Sequence, residues 1–105
     1  MTIIFDENVP WPLSRYLESQ IVTTVQKEGW GGIQNGELIK EIEGKFDILI
    51  LADKNLRYQQ DLSARKISII ELPTNRWPIL EPRIPEILKA LKEVRPGSYC
   101  IIGAD

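Results

Sequence analysis

The sequence contains no histidine and a single cysteine, Cys100, among its 105 residues. Without imidazole there is no Ser-His or Cys-His nucleophile pair, no histidine general base and no histidine metal ligand. One cysteine excludes an intramolecular disulfide framework and any multi-cysteine zinc site, and it fits a reducing compartment. No run approaches the roughly 18 apolar residues that a membrane-spanning helix needs, so no membrane partner is expected. The opening MTIIFDENVP has neither a basic n-region nor an apolar h-region, so no secretory leader is expected and the expected location is cytoplasmic. Positive charge is not in excess either: 13 Lys and Arg against 15 Asp and Glu leave a net charge of −2. That argues against a generally basic nucleic-acid coat while leaving room for a local basic rim. Carboxylates, amides, Lys and Arg are left to carry any chemistry, and a hard metal ion is their natural helper.

What is present is a regular alternation of β-prone and helix-prone segments, over a length suited to one domain, residues 1–105. Residues 2–5 (TIIF) read as a strand closed by Asp6-Glu7-Asn8, and Pro10 and Pro12 place a helix start near Asn8 or Val9. Residues 21–25 (IVTTV) read as a second strand, and the glycine-rich QKEGWGGIQ (26–34) as a loop. Asn35 is placed to cap a helix that buries Leu38, Ile39 and Ile42 and stops at Gly44. FDILIL (46–51) is almost continuously apolar, the signature of a strand buried on both faces of a parallel sheet. A helix over residues 55–64, a strand over 66–72 and a Pro-bounded loop over 73–78 follow. Ile84, Ile87, Leu88 and Leu91 mark a last amphipathic helix, and residues 98–102 a terminal strand. The expected fold class is therefore α/β: a single domain with a central, mostly parallel sheet of about five strands and helices on both faces.

In such units strand ends and the following helix starts share one edge, where ligands bind. Asp6 follows the first strand, Asp53 follows the long apolar one, and Glu37 lies in the first turn of the helix after the second strand. The topology thus brings three carboxylates to one edge, with Asn8, Asn35 and Asn55 as neutral oxygen ligands. Lys54, Arg57 and Arg76 can surround them with positive charge. Crowded carboxylates repel unless a cation sits between them, and an all-oxygen set suits Mg²⁺ or Mn²⁺. Such an ion can generate hydroxide and neutralise charge on a phosphate oxygen, so phosphodiester hydrolysis is the chemistry this arrangement fits best.

IIFDEN (3–8), GWGGIQNGEL (29–38) and ILILADKNLRY (48–58) resemble the PIN-like domain family, in its short branch that opens with a Leu-Asp-Glu-Asn-type motif and is grouped with VapC-type toxins. LPTNRW (72–77) and SYCII (98–102) extend the resemblance over nearly the whole chain. The resemblance implies a PIN-like sandwich and a metal-dependent ribonuclease, with Asp6, Glu37 and Asp53 holding Mg²⁺ or Mn²⁺ for RNA cleavage. It implies Asn55 as a weaker metal ligand, and Arg57, Arg76 and Lys54 as the nucleic-acid contacts. The implied partners are an RNA substrate and a cognate antitoxin protein; a homodimer stays open. Where the family often carries further acids, this chain has the amides Asn35 and Asn55, and Leu51 stands where a Thr is common.

Simpler roles compete for each residue. Asp6 and Asn8 can close a turn or cap a helix, Glu37 is favoured by the helix macrodipole alone, and Asp53 can cap the following helix. Trp30 and Trp77 can stack bases, or cover core or a partner surface, and covering is the preferred reading. Cys100 reads as a small buried hydrophobe. Two other classes stay open. One is a non-catalytic α/β binding module, a degenerate nuclease supported by the two amides. The other is a phosphoacceptor receiver built on Asp6, Glu7, Asp53 and Thr74, which lacks the Lys expected after the last strand.

Overall fold

The computed structural model describes residues 1–17, 20–33, 35–52 and 66–103, and for Asn35 and Gly36 the backbone alone. Five short strands, β1 (Thr2–Phe5), β2 (Ile21–Thr24), β3 (Ile48–Leu51), β4 (Ser68–Glu71) and β5 (Tyr99–Ile101), form one sheet in the order β2-β1-β3-β4-β5. Every neighbouring pair is parallel. The α/β class with a parallel five-stranded sheet is therefore present as the alternating pattern requires. The helix expected over residues 55–64 lies outside the described residues.

Strand alternation sorts the core into two layers. Ile3, Phe5, Ile48, Ile50 and Ile70 face one side, where they pack with Leu13, Leu17, Ile87 and Leu91. Ile4, Leu49, Leu51 and Ile69 face the other, against Leu38, Ile39 and Ile42. The first layer is covered by a 3₁₀ helix (Trp11–Leu17) and the C-terminal helices, the second by α1 (Asn35–Ile42). All four residues of β3 are at most 1% exposed, which is why that segment has no polar position.

Prolines shape the covering helices. The first was expected to start near Asn8 or Val9, but residues 7–9 form a turn and the helix is 3₁₀ from Trp11. Pro10 and Pro12 remove two amide donors from what would be an α-helical start, and the chain closes with a Leu13 N–H to Pro10 carbonyl bond of 3.2 Å. Residues 73–78 were expected to be loop throughout, yet α2 (Trp77–Leu80) begins inside them. A second 3₁₀ turn (Glu81–Arg83) and α3 (Ile84–Glu93) continue without a break. Each of these three pieces has a proline in its first turn, where a missing N–H costs no hydrogen bond. At the end of α1, Gly44 takes a φ of +86°, the left-handed conformation that releases the chain toward β3.

The connections differ in hand. β1 to β2 moves one way along the sheet over the first face; β2 to β3 moves back over the second face, which is the same hand. β4 to β5 also moves in that second direction, but through α3 on the first face, so its hand is opposite. Crossovers are right-handed in about 98% of cases, so the described connections do not all have the common hand. No helix among the described residues is long and apolar enough to cross a membrane.

Long-range polar ties hold the strand starts in register. The Asp47 carboxylate accepts the Thr2 N–H at 2.9 Å and the Thr2 hydroxyl at 3.2 Å, and the Asp47 N–H reaches back to Thr2. The bond from the Thr2 amide holds the Asp47 carboxyl below its ordinary pKa of 3.8. A carboxyl depressed on folding stabilises the protein above its unfolded pKa and loses that contribution as pH falls through the folded value. Asp47→Asn is therefore expected to lower the melting temperature at neutral pH. The gap from wild type should close below pH 3.8, read from melting curves of both proteins across the acid range.

Candidate functional site

The edge at which the parallel strands end carries the acids. Asp6 is the first residue after β1; its N–H donates to the Ile50 carbonyl at 2.9 Å, and it is half-buried. Phe5 pairs with Ile50 and Leu51 with Glu71, so Asp6, Leu51 and Glu71 occupy one lateral row across β1, β3 and β4. Alternation puts Asp6 with Ile4 and Glu71 with Ile69, on the face that α1 covers. With strands about 4.8 Å apart, the backbones of Asp6 and Glu71 stand about 10 Å from each other.

Glu37, in the first turn of α1, is exposed. Helix α1 is reached through the glycine-rich loop, and that loop is fastened by Glu7. The Glu7 carboxylate accepts the Gly32 N–H at 2.7 Å, and its carbonyl accepts the Gln26 side-chain amide at 3.3 Å. Gly32 has a φ of +84°, and a Cβ at Gly31 would stand 3.4 Å from the Glu7 carboxylate. The glycines let this loop pass close to Glu7, which makes Glu7 a positioning residue for the segment that leads to Glu37.

Arg76 lies on the loop that leaves β4 at the same edge and is exposed. Its N–H is held by the Thr74 hydroxyl oxygen at 3.1 Å, and its carbonyl starts α2. Among the described residues its guanidinium has no carboxylate partner. Asp53, Lys54, Asn55 and Arg57 lie outside the described residues. Among the described residues, no three Asp, Glu or Cys side chains come together as a metal-ligand group. Among the described residues Asp6, Glu7, Glu37 and Glu71 lie toward this edge, with Glu7 bonded to Gly32 and Glu71 to Tyr99.

Two features escape sequence reasoning. Glu71 is 2% exposed, and the Tyr99 hydroxyl donates to it at 2.8 Å. The only hint in the sequence is that Glu71 falls two residues after Ile69, in phase with a buried face. Trp11 is 48% exposed beside the edge, its ring set edge-on to Phe5 at 5.9 Å with the Lys27 ammonium 5.8 Å from its centre. The other indoles pack: Trp30 sits edge-on to Phe46, and Trp77 lies against Tyr16 at 6.0 Å, in line with the covering role. Cys100 is half-buried against the first core layer, and burial followed by the charges of Glu86 and Glu93 raises its thiol pKa. A thiol held protonated is a poor nucleophile.

The structure defines a parallel α/β domain with Asp6 and Glu71 in one row at the edge where the strands end. Comparison of the chain with family models, with curated proteins and with solved structures finds no match in any of the three.

Leaving a buried acceptor without its donor costs about 1–3 kcal/mol. Tyr99→Phe removes the donor to Glu71 and keeps the ring. It is expected to destabilise the fold by about 1–3 kcal/mol, measured as a lower urea midpoint with an unchanged m-value.

Proposed function

We propose that this chain is a PIN-like, metal-dependent endoribonuclease that hydrolyses RNA phosphodiester bonds and serves as the toxin of a toxin–antitoxin pair. The observation that carries the reading is the position of Asp6. It stands at the C-terminal end of β1, where the chain turns to β2 on one side and β3 lies on the other, the topological switch point at which open parallel sheets bind ligands. Glu37 begins the helix that covers the same face, and Arg76 leaves the same edge as an unpaired cation among the described residues.

In this reading Asp6, Glu37 and Asp53 hold Mg²⁺ or Mn²⁺, with Asn55 as a neutral ligand. A bound ion would polarise a water for attack and would stabilise charge developing at the phosphate. The chain itself contributes the rest. Arg76, Arg57 and Lys54 bind and orient the phosphodiester, and Glu7 keeps the glycine-rich loop against the edge so that Glu37 stays in place. The toxin role and the antitoxin partner rest on the resemblance to VapC-type proteins.

The strand order favours one second reading, because β2-β1-β3-β4-β5 is also the flavodoxin-like order that receiver domains share. Uniform hand would put the β4–β5 helix on the face of α1, whereas α3 lies on the opposite face. Ile102 and Gly103 follow β5 where a receiver needs Lys. The nuclease reading therefore stands ahead. Acetyl phosphate labelling of Asp53 would reverse that order.

Purified protein with Mn²⁺ or Mg²⁺ is expected to cleave RNA, and Asp6→Asn and Glu37→Gln to lose the activity while remaining folded by circular dichroism. Mn²⁺ at a hundredfold excess over Kd should stabilise wild type by about 2.7 kcal/mol and shift the variants much less. Absence of both cleavage and a metal shift in wild type would leave the non-catalytic binding module as the reading.

A further inference from the structure

The opposite edge of the sheet, where the strands begin, holds a cavity of about 580 Å³ between the 44–47 turn, the start of β4 and the 94–96 segment. Its volume is that of a small-molecule site, which typically spans about 300–1,000 Å³. It lies a full strand length from Asp6 and shares no residue with the candidate nuclease site.

Among the described residues three cationic side chains line it: Lys45, Lys66 and Arg95. Among the described residues the one carboxylate in the wall is Asp47, and that group is already engaged by the amide and hydroxyl of Thr2. The cavity is therefore cationic in a chain whose net charge is −2. The three cations are not equally committed. The Lys45 ammonium stands 3.7 Å from Glu41 and 5.3 Å from the centre of the Trp30 ring. Lys66 and Arg95 are exposed and, among the described residues, have no carboxylate partner. Lys45 and Arg95 each follow a helix C-terminus, where positive charge is favoured for its own sake. That accounts for each of the two separately; it does not bring them to one cavity with Lys66.

The rest of the wall is apolar, with Phe46, Ile67 and Val94. Nearby donors are taken: the Ser68 N–H by the Asp47 carbonyl, the Gly97 N–H by the Lys66 carbonyl, and the Ser68 hydroxyl by the Arg95 carbonyl at 2.6 Å. Among the described residues, the lining side-chain cations without a carboxylate partner are thus the Lys66 ammonium and the Arg95 guanidinium, and the guanidinium fork matches the oxygens of a phosphate. An inorganic phosphate would leave most of the volume and the apolar wall without contacts.

We propose that this cavity binds a phosphate monoester carried on an apolar or aromatic body, such as a nucleoside monophosphate, with Lys66 and Arg95 on the phosphate and the body against Phe46 and Val94. The proposal is independent of the nuclease reading, since it uses none of the same residues and needs no metal.

The test titrates adenosine 5′-monophosphate, adenosine and inorganic phosphate into the full chain in metal-free, low-salt buffer, followed by calorimetry. Adenosine 5′-monophosphate is expected to bind saturably and more tightly than phosphate, and adenosine not to bind. The double substitution Lys66→Ala/Arg95→Ala, at two exposed positions, is expected to weaken binding at least about tenfold. Arg76→Ala, at the other edge, is expected to leave it unchanged. The proposal is overturned if the monophosphate does not bind saturably, if adenosine or phosphate binds as tightly, or if the double variant binds like wild type. Loss of binding in Arg76→Ala would overturn it as well, by placing the ligand at the other edge.

Discussion

Burial of β3 on both sides is the constraint from which the rest of the structure follows. Ile48, Leu49, Ile50 and Leu51 are all removed from water. Each contributes roughly 1.5–3 kcal/mol, so the strand as a whole supplies about 6–12 kcal/mol, an upper estimate. That is comparable to the whole net stability of a small domain, about 5–15 kcal/mol. A strand without a polar position cannot lie at an edge or face water, so both faces of the sheet must be covered. The 3₁₀ helix and α3 cover one and α1 the other, and β1 and β4 flank β3 in the middle of the sheet. Only the two strand-end edges are left for polar chemistry.

Those two edges carry different groups of charged residues. Asp6, Glu7, Glu37 and Glu71 gather where strands end, and Lys45, Lys66 and Arg95 where they begin. Helix direction accounts for part of this division. A helix returning between two parallel strands starts at the edge where strands end, so its positive end favours acids there and its negative end favours cations opposite. The interaction is worth about 0.3–1 kcal/mol per exposed charge, enough to select a charge sign but not to converge side chains. Convergence comes from register. Pairing of Phe5 with Ile50 and Leu51 with Glu71 sets two acids in one row, and the turns at 44–47 and 94–96 carry two cations to one cavity.

The reversed hand of the β4–β5 connection ties the C-terminal helices to the first half of the chain. Because α3 lies on the face of the 3₁₀ helix, Trp77 can pack on Tyr16, whose hydroxyl donates to Glu81 at 3.3 Å. The connection is long and interrupted, with three helical pieces each opened by a proline, so it is not the single helix fed directly by a twisted strand for which the usual hand is enforced.

The sequence by itself determined the class of the fold, the identity of the buried central strand and the strand-end placement of Asp6. These are local properties: an apolar run without alternation, a β-prone stretch closed by acids, and a glycine that stops a helix are each read within a few residues. The edge position of Glu37 was equally legible from the Asn35 helix start. Glu71 was not, because its burial and its bond from Tyr99 depend on a partner 28 residues away and on which strand lies beside β4. The 3₁₀ form of the first helix and the early start of α2 were hidden in proline-rich segments, where the same residues suit a turn or a first helical turn. The face taken by α3 and the gathering of Lys45, Lys66 and Arg95 were decided by tertiary structure alone. Neither is a property of any segment. Both arise from how the helices share the two faces of one sheet, and sequence periodicity states that a helix has an apolar face without stating which side of the sheet receives it.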